Sequence, residues 1–307
     1  MVGIIILNYK NWKDTIDCLK SIFFVNKNNS FSIYIIDNAS ENSSLEKISD
    51  YLFQNNISHC TINENEKAER EYRTVLIQAN KNRGFAAGNN IGIKKALEAN
   101  HPYIFVLNND TEIKENTVDD LVGFLQSDTS SVLAGPLVKK PNGSFEKGCA
   151  RKRPKIISYF FRKGIYSYLF PKNKFIRKHY YNLQEIEKNK VPVSVDIISG
   201  SAMMFKKEYF EVCGLMDERT FLYLEEFIIH ENIRNNFFSS WIVPKSEIIH
   251  KGGQSTKSIK NKSKINIELN SLKIYLKYYR NANLFIRNTI IANTRFGYFL
   301  YWLLKRK

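Results

Sequence analysis

The feature that most limits the fold is a repeated pattern. Short, strand-like apolar runs occur at residues 2–7, 33–36, 75–78, 103–107 and 131–134, the third ending in Gln78 and the last opening on Ser131, with helical periodicity between them, as at residues 12–23. Uninterrupted apolar runs of this length read as strands buried on both faces. Their alternation with helices predicts βαβ units, so the expected fold class is α/β, a mostly parallel sheet flanked by helices. The run YIFVL at 103–107 leads straight into Asn108, Asn109 and Asp110. In open α/β sheets ligands gather beyond the carboxyl ends of the strands, which places Asp110 at the reactive edge. A carboxylate flanked by amide oxygens suits a hard divalent cation such as Mg2+, which shares its ligands with substrate phosphates. The same residues also make an ordinary turn or helix cap.

Other strand ends are polar too: Asn8 and Tyr9 after the first run, Asp37 and Asn38 after the second, Asn80 after the third. Each alone is a reasonable cap or turn, but together they line one edge. An acidic side chain there can accept from the imide or ribose of a nucleotide. The stretch NRGFAAGNNIG puts glycines at 84, 88 and 92, where a loop enters a helix. A Gly-rich entry bares backbone N–H groups for phosphate, although this one matches neither the P-loop nor the dinucleotide fingerprint.

With 307 residues, the chain is long enough for a large α/β domain, and a domain with an appendage is the favoured reading. The four cysteines, Cys18, Cys60, Cys149 and Cys213, are scattered without metal-ligand spacing, which suits a reducing compartment. The apolar start is too short for a signal h-region, so secretion is not expected. The apolar stretch 296–304 has nine residues, well short of the ~20 a spanning helix needs. The net charge of +16 is concentrated. Residues 151–190 hold 12 basic and 2 acidic side chains, and residues 257–307 hold 12 and 1, while the remainder is slightly acidic. Both basic segments are interleaved with aromatic and aliphatic residues, a composition that faces an anionic membrane, a nucleic acid or solvent. Periodicity blurs across 151–190, which reads as an insertion or mobile flap, returns as an extended apolar pattern at 193–205, and becomes helical over 265–306 as two helices.

Six motifs, IIILNYKNW, IIDNAS, NKNRGFAAGNNIGI, VLNNDTEI, ISGSAMMFKKEYFEVCGLMDERTFLYLEE and IIHKGGQST, run in order across about residues 2–256. In that order the chain resembles a family 2 glycosyltransferase with a GT-A fold, of the rhamnosyltransferase-like kind found in bacterial polysaccharide assembly. The resemblance covers a catalytic domain over 1–256; periodicity and charge mark 151–190 within it as a basic insertion or flap and 257–307 as a basic amphipathic helical segment. It implies a nucleoside diphosphate sugar donor held by Asn8, Tyr9, Asp37, Asn38, Asn82, Gly84, Gly88, Asn89 and Asn108, with Asp37 near the base and ribose. Asp110 is the carboxylate of the family's metal motif, His250 its late histidine, and Mg2+ or Mn2+ the expected cofactor. Gly200 and Ser201 would meet the acceptor. Glu226 stands at the family's Asp position as general base for an inverting transfer, and Glu225 beside it orients the acceptor or raises the base's pKa. Two departures are Glu for Asp at 226 and Ile228 where many relatives carry a further Asp. Arg234 falls at a helix arginine of the relatives.

The implied enzyme is a metal-dependent hexosyltransferase acting on a lipid-linked or polysaccharide acceptor in cell-surface glycan synthesis, such as capsule. It would be cytoplasmic and peripheral on the inner face of the cell membrane, its basic tail on anionic lipid, with no nucleic acid expected. Competing readings are a nucleic-acid-binding protein, for which the charge and stacking aromatics speak, a nucleotidyltransferase on a similar sheet, and an inactive relative kept as an assembly subunit.

Overall fold

The computed structural model describes residues 1–25, 31–70, 72–162, 166, 169–170, 178–252 and 261–304. The first half alternates as expected: β1 (Val2–Asn8), α1 (Trp12–Val25), β2 (Phe31–Asp37), α2 (Ser44–Gln54), β3 (His59–Asn63), β4 (Thr74–Gln78), α3 (Phe85–Glu98), β5 (Tyr103–Asn108), β6 (Thr111–Ile113), α4 (Thr117–Ser127) and β7 (Ser131–Lys139). There follow β8 (Ala150–Arg151), α5 (Ser158–Arg162), α6 (Leu183–Asn189), β9 (Val193–Ser194), β10 (Ile197–Ile198), β11 (Ala202–Lys206) and α7 (Lys207–Cys213). The chain then forms α8 (Glu225–Asn235), β12 (Ser239–His250), α9 (Asn261–Tyr278) and α10 (Leu284–Leu304). The tail of the last motif, 253–256, and much of the flap lie outside the described residues.

The main sheet runs β3-β4-β2-β1-β5-β11-β7-β12-β6, with β9 on β12. β3, β4, β2, β1 and β5 are mutually parallel, and β11 enters antiparallel between β5 and β7. The apolar runs explain this order, because β1, β2 and β5 carry Ile, Val, Leu and Phe that are buried on both sheet faces. α3 approaches closely: a Cβ on Gly88 would lie 2.6 Å from Leu7 Cδ1, and one on Gly92 2.6 Å from Ile36 Cδ1. Those two helical glycines therefore let α3 sit down on β1 and β2.

A second, smaller core lies apart from the sheet core. It joins Tyr159, Ile197, Leu224, Phe227 and Ile228 to Leu272, Tyr275 and Leu276 of α9, and to Ala282 and Ile290. Two C-terminal helices form, with α9 packed on the start of α8 and α10 packed on α9. Ile228 is buried in this core, which gives the departure from the relatives' Asp a packing reason: a carboxylate there would face Leu and Tyr side chains. Among the described residues no helix is long and apolar enough to cross a membrane.

Candidate active site

Parallel register aligns the strand ends. Asn8 pairs with Asp37 across β1 and β2, and Leu7 with Asn108 across β1 and β5, so the polar residues following each apolar run share one edge. Asp37 is buried but well supplied with donors. Its Oδ1 accepts from Asn8 Nδ2 at 2.6 Å and Ser40 Oγ at 2.5 Å, and its Oδ2 accepts from the Ser40 amide at 3.0 Å. Asn8 is fixed in turn by Thr15, whose hydroxyl donates to Asn8 Oδ1 at 2.9 Å. Asn109 Nδ2 donates to the same Thr15 hydroxyl at 3.0 Å. The strand ends are thus cross-linked by side chains rather than merely adjacent. Tyr9 is half-buried, with the Lys10 ammonium 5.2 Å from its ring centre.

Beside this network, Asn38 Nδ2 donates to Asn82 Oδ1 at 3.1 Å, and Asn82 Oδ1 accepts from the Gly84 amide at 2.9 Å. Gly84 has a φ of +96°, and a Cβ there would fall 2.1 Å from the Phe221 carbonyl oxygen. Glycine is required at this contact on both counts. The Phe85 amide donates to that same carbonyl at 2.8 Å, and the Asn90 amide group donates to Met216 O at 2.8 Å and accepts from Met216 N at 3.0 Å. These bonds dock the segment leading into α8 onto the start of α3. Asn89 sits one turn inside α3; its Nδ2 donates to Phe85 O at 3.0 Å, while its buried Oδ1 has no hydrogen-bond partner. The Asn108 amide donates to Ser201 O at 2.9 Å, and Ser201 Oγ lies 2.9 Å from Ser199 Oγ. A Cβ added at Gly200 meets nothing within 4 Å, so this turn opens away from the packed core.

β6 and β12 pair antiparallel with His250 opposite Thr111, which brings the two expected metal ligands together from 140 residues apart. His250 Nε2 lies 3.1 Å from Asp110 Oδ1 at ion-pair distance, without the alignment of a hydrogen bond. On its other side Nδ1 is 2.6 Å from Glu146 Oε2. Burial works against charge on this imidazole, but the Asp110 and Glu146 carboxylates outweigh it and push its pKa up to about 10. Lys251 answers the surrounding acids, 2.9 Å from Asp17 and 3.3 Å from both Asp14 and Glu112.

The donor set fits a divalent cation once the imidazole gives up its Nε2 proton, because a ligating histidine must be neutral. Adjacent ligands at right angles on ~2.1 Å bonds stand roughly 3 Å apart, which matches the Asp110–His250 spacing. Nε2 is a buried nitrogen with no aligned partner, and a carboxylate on Nδ1 is the usual means of orienting a ligating histidine. Among the described residues no group of three His, Cys, Asp or Glu side chains could hold a metal ion. An ion here would therefore take its other ligands from water and phosphate, as Mg2+ commonly does.

α8 opens at Glu225. Glu226 Oε1 is 2.7 Å from Arg151 Nη2, and the Arg151 guanidinium also lies 4.8 Å from the Phe227 ring centre. Glu225 is buried with Oε1 unpartnered. Burial, reinforced by the neighbouring Glu226 charge, pushes its pKa up to about 8. One turn on, Glu231 receives Arg153 through two bonds of 2.9 Å and the Tyr275 hydroxyl at 2.8 Å. Arg234 lies in the last turn, exposed. No sequence signal pointed to Arg151, Arg153 or Glu146, because their partners lie 75, 78 and 104 residues away.

With this geometry in hand, likeness to known proteins is informative. Residues 3–214 match the family described as Glycosyl transferase family 2. An N-acetylglucosaminyl-diphospho-decaprenol L-rhamnosyltransferase of Mycobacterium tuberculosis is 27% identical over 157 residues, 50% of this chain and 48% of that protein. The dTDP-rhamnosyl transferase RfbF of Shigella flexneri is 24% identical over 222 residues, 69% of this chain and 62% of that one. The chain thus spans between about half and three fifths of these relatives' lengths. A crystal structure of GalNAc-T7 with UDP, GalNAc and Mn2+ superposes with a TM-score of 0.61 at 18% identity, covering 91% of this chain and 49% of that one. The architecture is that of the GT-A glycosyltransferases.

Proposed function

The chain belongs to glycosyl transferase family 2, and from that premise we propose that it moves a hexose or deoxyhexose from a nucleoside diphosphate sugar to a lipid-linked glycan acceptor, with inversion. The observation that supports this reading most is the 3.1 Å approach of Asp110 and His250 on the sheet edge that also carries the Asp37 network. Residues 1–256 carry the transferase in this reading, and 257–307 form its basic helical appendage. No nucleic-acid partner enters it.

Asp37, held by Asn8 and Ser40, receives the nucleoside, with Tyr9, Asn38, Asn82, Gly84, Gly88, Asn89 and Asn108 around it. Asp110 and His250 would hold Mg2+ or Mn2+, with Glu146 fixing the imidazole. When bound, that ion neutralises charge developing on the leaving diphosphate. Gly200 and Ser201, at the open turn beside Asn108, border the acceptor. At neutral pH Glu225 keeps its proton because it is buried, and Arg151 meets the neighbouring Glu226 at 2.7 Å. Glu226 then takes the acceptor hydroxyl proton as that oxygen attacks the anomeric carbon; Arg151 holds Oε1 and leaves Oε2 for the proton.

The test is transfer to a synthetic polyprenyl-diphosphate-sugar acceptor with the product's anomeric configuration read by NMR. Inversion is expected, with Glu226→Gln slowing the rate by at least ~100-fold, the low end for general-base loss. A retained configuration, or a Gln variant as fast as wild type, would overturn the assignment.

A further inference from the structure

α10 has two faces with different surroundings. Ile290 and Thr294 are buried, with Ile286 packed beside them, at the four-residue spacing of one helical face. The opposite face presents Phe285 at 78% exposure, Phe296 at 46%, Phe299 at 50% and Trp302 at 49%, with Leu303 and Arg295 also exposed. The rings of Phe296 and Phe299 stand 6.1 Å apart. The acid of this region, Glu268, accepts a hydrogen bond from the Tyr298 hydroxyl on the inner side. α5 lies alongside, tied by Asn293 Nδ2 to Phe160 O at 3.3 Å.

We propose that this outer face of α10 docks on an anionic phospholipid surface, with the helix lying in the plane of the interface. Exposed aromatic side chains with an arginine among them on one face of a helix suit the boundary between headgroups and acyl chains. Charge selects the occupant. The segment 257–307 has 12 basic residues against 1 acidic, and residues 151–190 have 12 against 2. Two copies meeting through this face would bring like charges together, which is costly, whereas anionic lipid neutralises them.

The inference deepens the proposed function and rests on its lipid-linked acceptor for purpose, though not for the surface itself. α10 packs with α9, and α9 packs through Leu272, Tyr275 and Leu276 on Leu224, Phe227 and Ile228 at the start of α8. A docked α10 therefore fixes the height of Glu226 above the bilayer in which the acceptor's lipid is anchored. Deleting 257–307 would also strip the cover from Phe227 and Ile228, so deletion cannot separate docking from folding. Substitutions on the outer face can.

The experiment is flotation of the full chain with vesicles of phosphatidylglycerol and phosphatidylethanolamine, against vesicles of phosphatidylcholine. It compares wild type with the combined variant Phe296→Ser, Phe299→Ser, Trp302→Ser. Wild type is expected to float with the anionic vesicles, and the variant to partition at least tenfold less while keeping its melting temperature and its donor binding by calorimetry. If neither protein binds a donor yet the flotation difference persists, the transferase reading fails and the docking face stands. Equal flotation of the two proteins overturns the proposal. So does a wild type that stays off the vesicles and is a dimer by light scattering that the variant dissolves, since a second copy would then be the occupant.

Discussion

Glu225→Gln should change how stability depends on pH far more than how large it is at low pH. A carboxylate in the first turn of a helix is ordinarily favoured by the helix dipole, by ~0.3–1 kcal/mol. Here burial opposes it, and removing a charge from water costs several kcal/mol when no partner compensates. The opposition wins: the Glu225 pKa rises from 4.5 to about 8. Because the folded state holds the proton longer than the unfolded chain, stability falls as pH rises from about 4.5 through about 8, and is level above that. At ~1.4 kcal/mol per pH unit the loss is roughly 3 kcal/mol by neutral pH and roughly 5 kcal/mol once the group is fully ionised. Glutamine has nearly the same shape and no charge at any pH, so the variant lacks this slope. Urea unfolding from pH 5 to pH 9 should show the two proteins nearly equal at the acid end. The variant's advantage should grow to ~3–5 kcal/mol at the alkaline end. Parallel profiles, or a wild type that gains on the variant with rising pH, would refute the reasoning.

Three further outcomes follow from named contacts. Ile228→Asp, which restores the relatives' residue, places a carboxylate among Leu272, Tyr275 and Leu276 and should cost ~3–5 kcal/mol in denaturant unfolding; near-neutral stability would mean the second core is not packed as described. Gly84→Ala sets a Cβ against the Phe221 carbonyl at positive φ, so the melting temperature should drop by the equivalent of ~1–3 kcal/mol, and an unchanged melt contradicts the contact. Glu146→Gln should weaken Mn2+ binding in the presence of a nucleoside diphosphate by ~10–100-fold, measured by calorimetry; equal affinity would remove Glu146 from behind His250.

The sheet was legible because its strands are wholly apolar and short: residues 2–7, 33–36 and 103–107 have little choice but a buried strand, and they pair as neighbours. β3 escaped notice because His59, Cys60 and Asn63 give it no apolar run, as suits an edge strand. β12 was hidden too, since Pro244 and Lys245 interrupt its pattern at the bulge between Val243 and Glu247. Within the site, the residues that follow strands could be read from their place in the chain: Asn8, Asp37 and Asp110 lie at one edge, and His250 joins Asp110 through β12. Their supporting partners could not. Arg151 reaches Glu226 only because β8 pairs with β10 beside α8, and nothing in a run of basic residues distinguishes that arginine from Arg153 or Lys152. Gly88 and Gly92 looked like a phosphate loop in sequence, yet their immediate use in the fold is to seat α3 on Leu7 and Ile36. Ile228 looked like a lost acid and proves to be a core residue, because what covers it comes from α9, some 44 residues further on.

A metal-dependent nucleotide-sugar site built on Asp110 can be tested directly by calorimetry. Wild type and Asp110→Ala would be titrated with a panel of nucleoside diphosphate sugars, with and without Mg2+ or Mn2+. One donor is expected to bind wild type only when the metal is present, and Asp110→Ala to lose at least tenfold in affinity while remaining folded. Metal-independent binding, or a donor affinity that Asp110→Ala leaves unchanged, would contradict it.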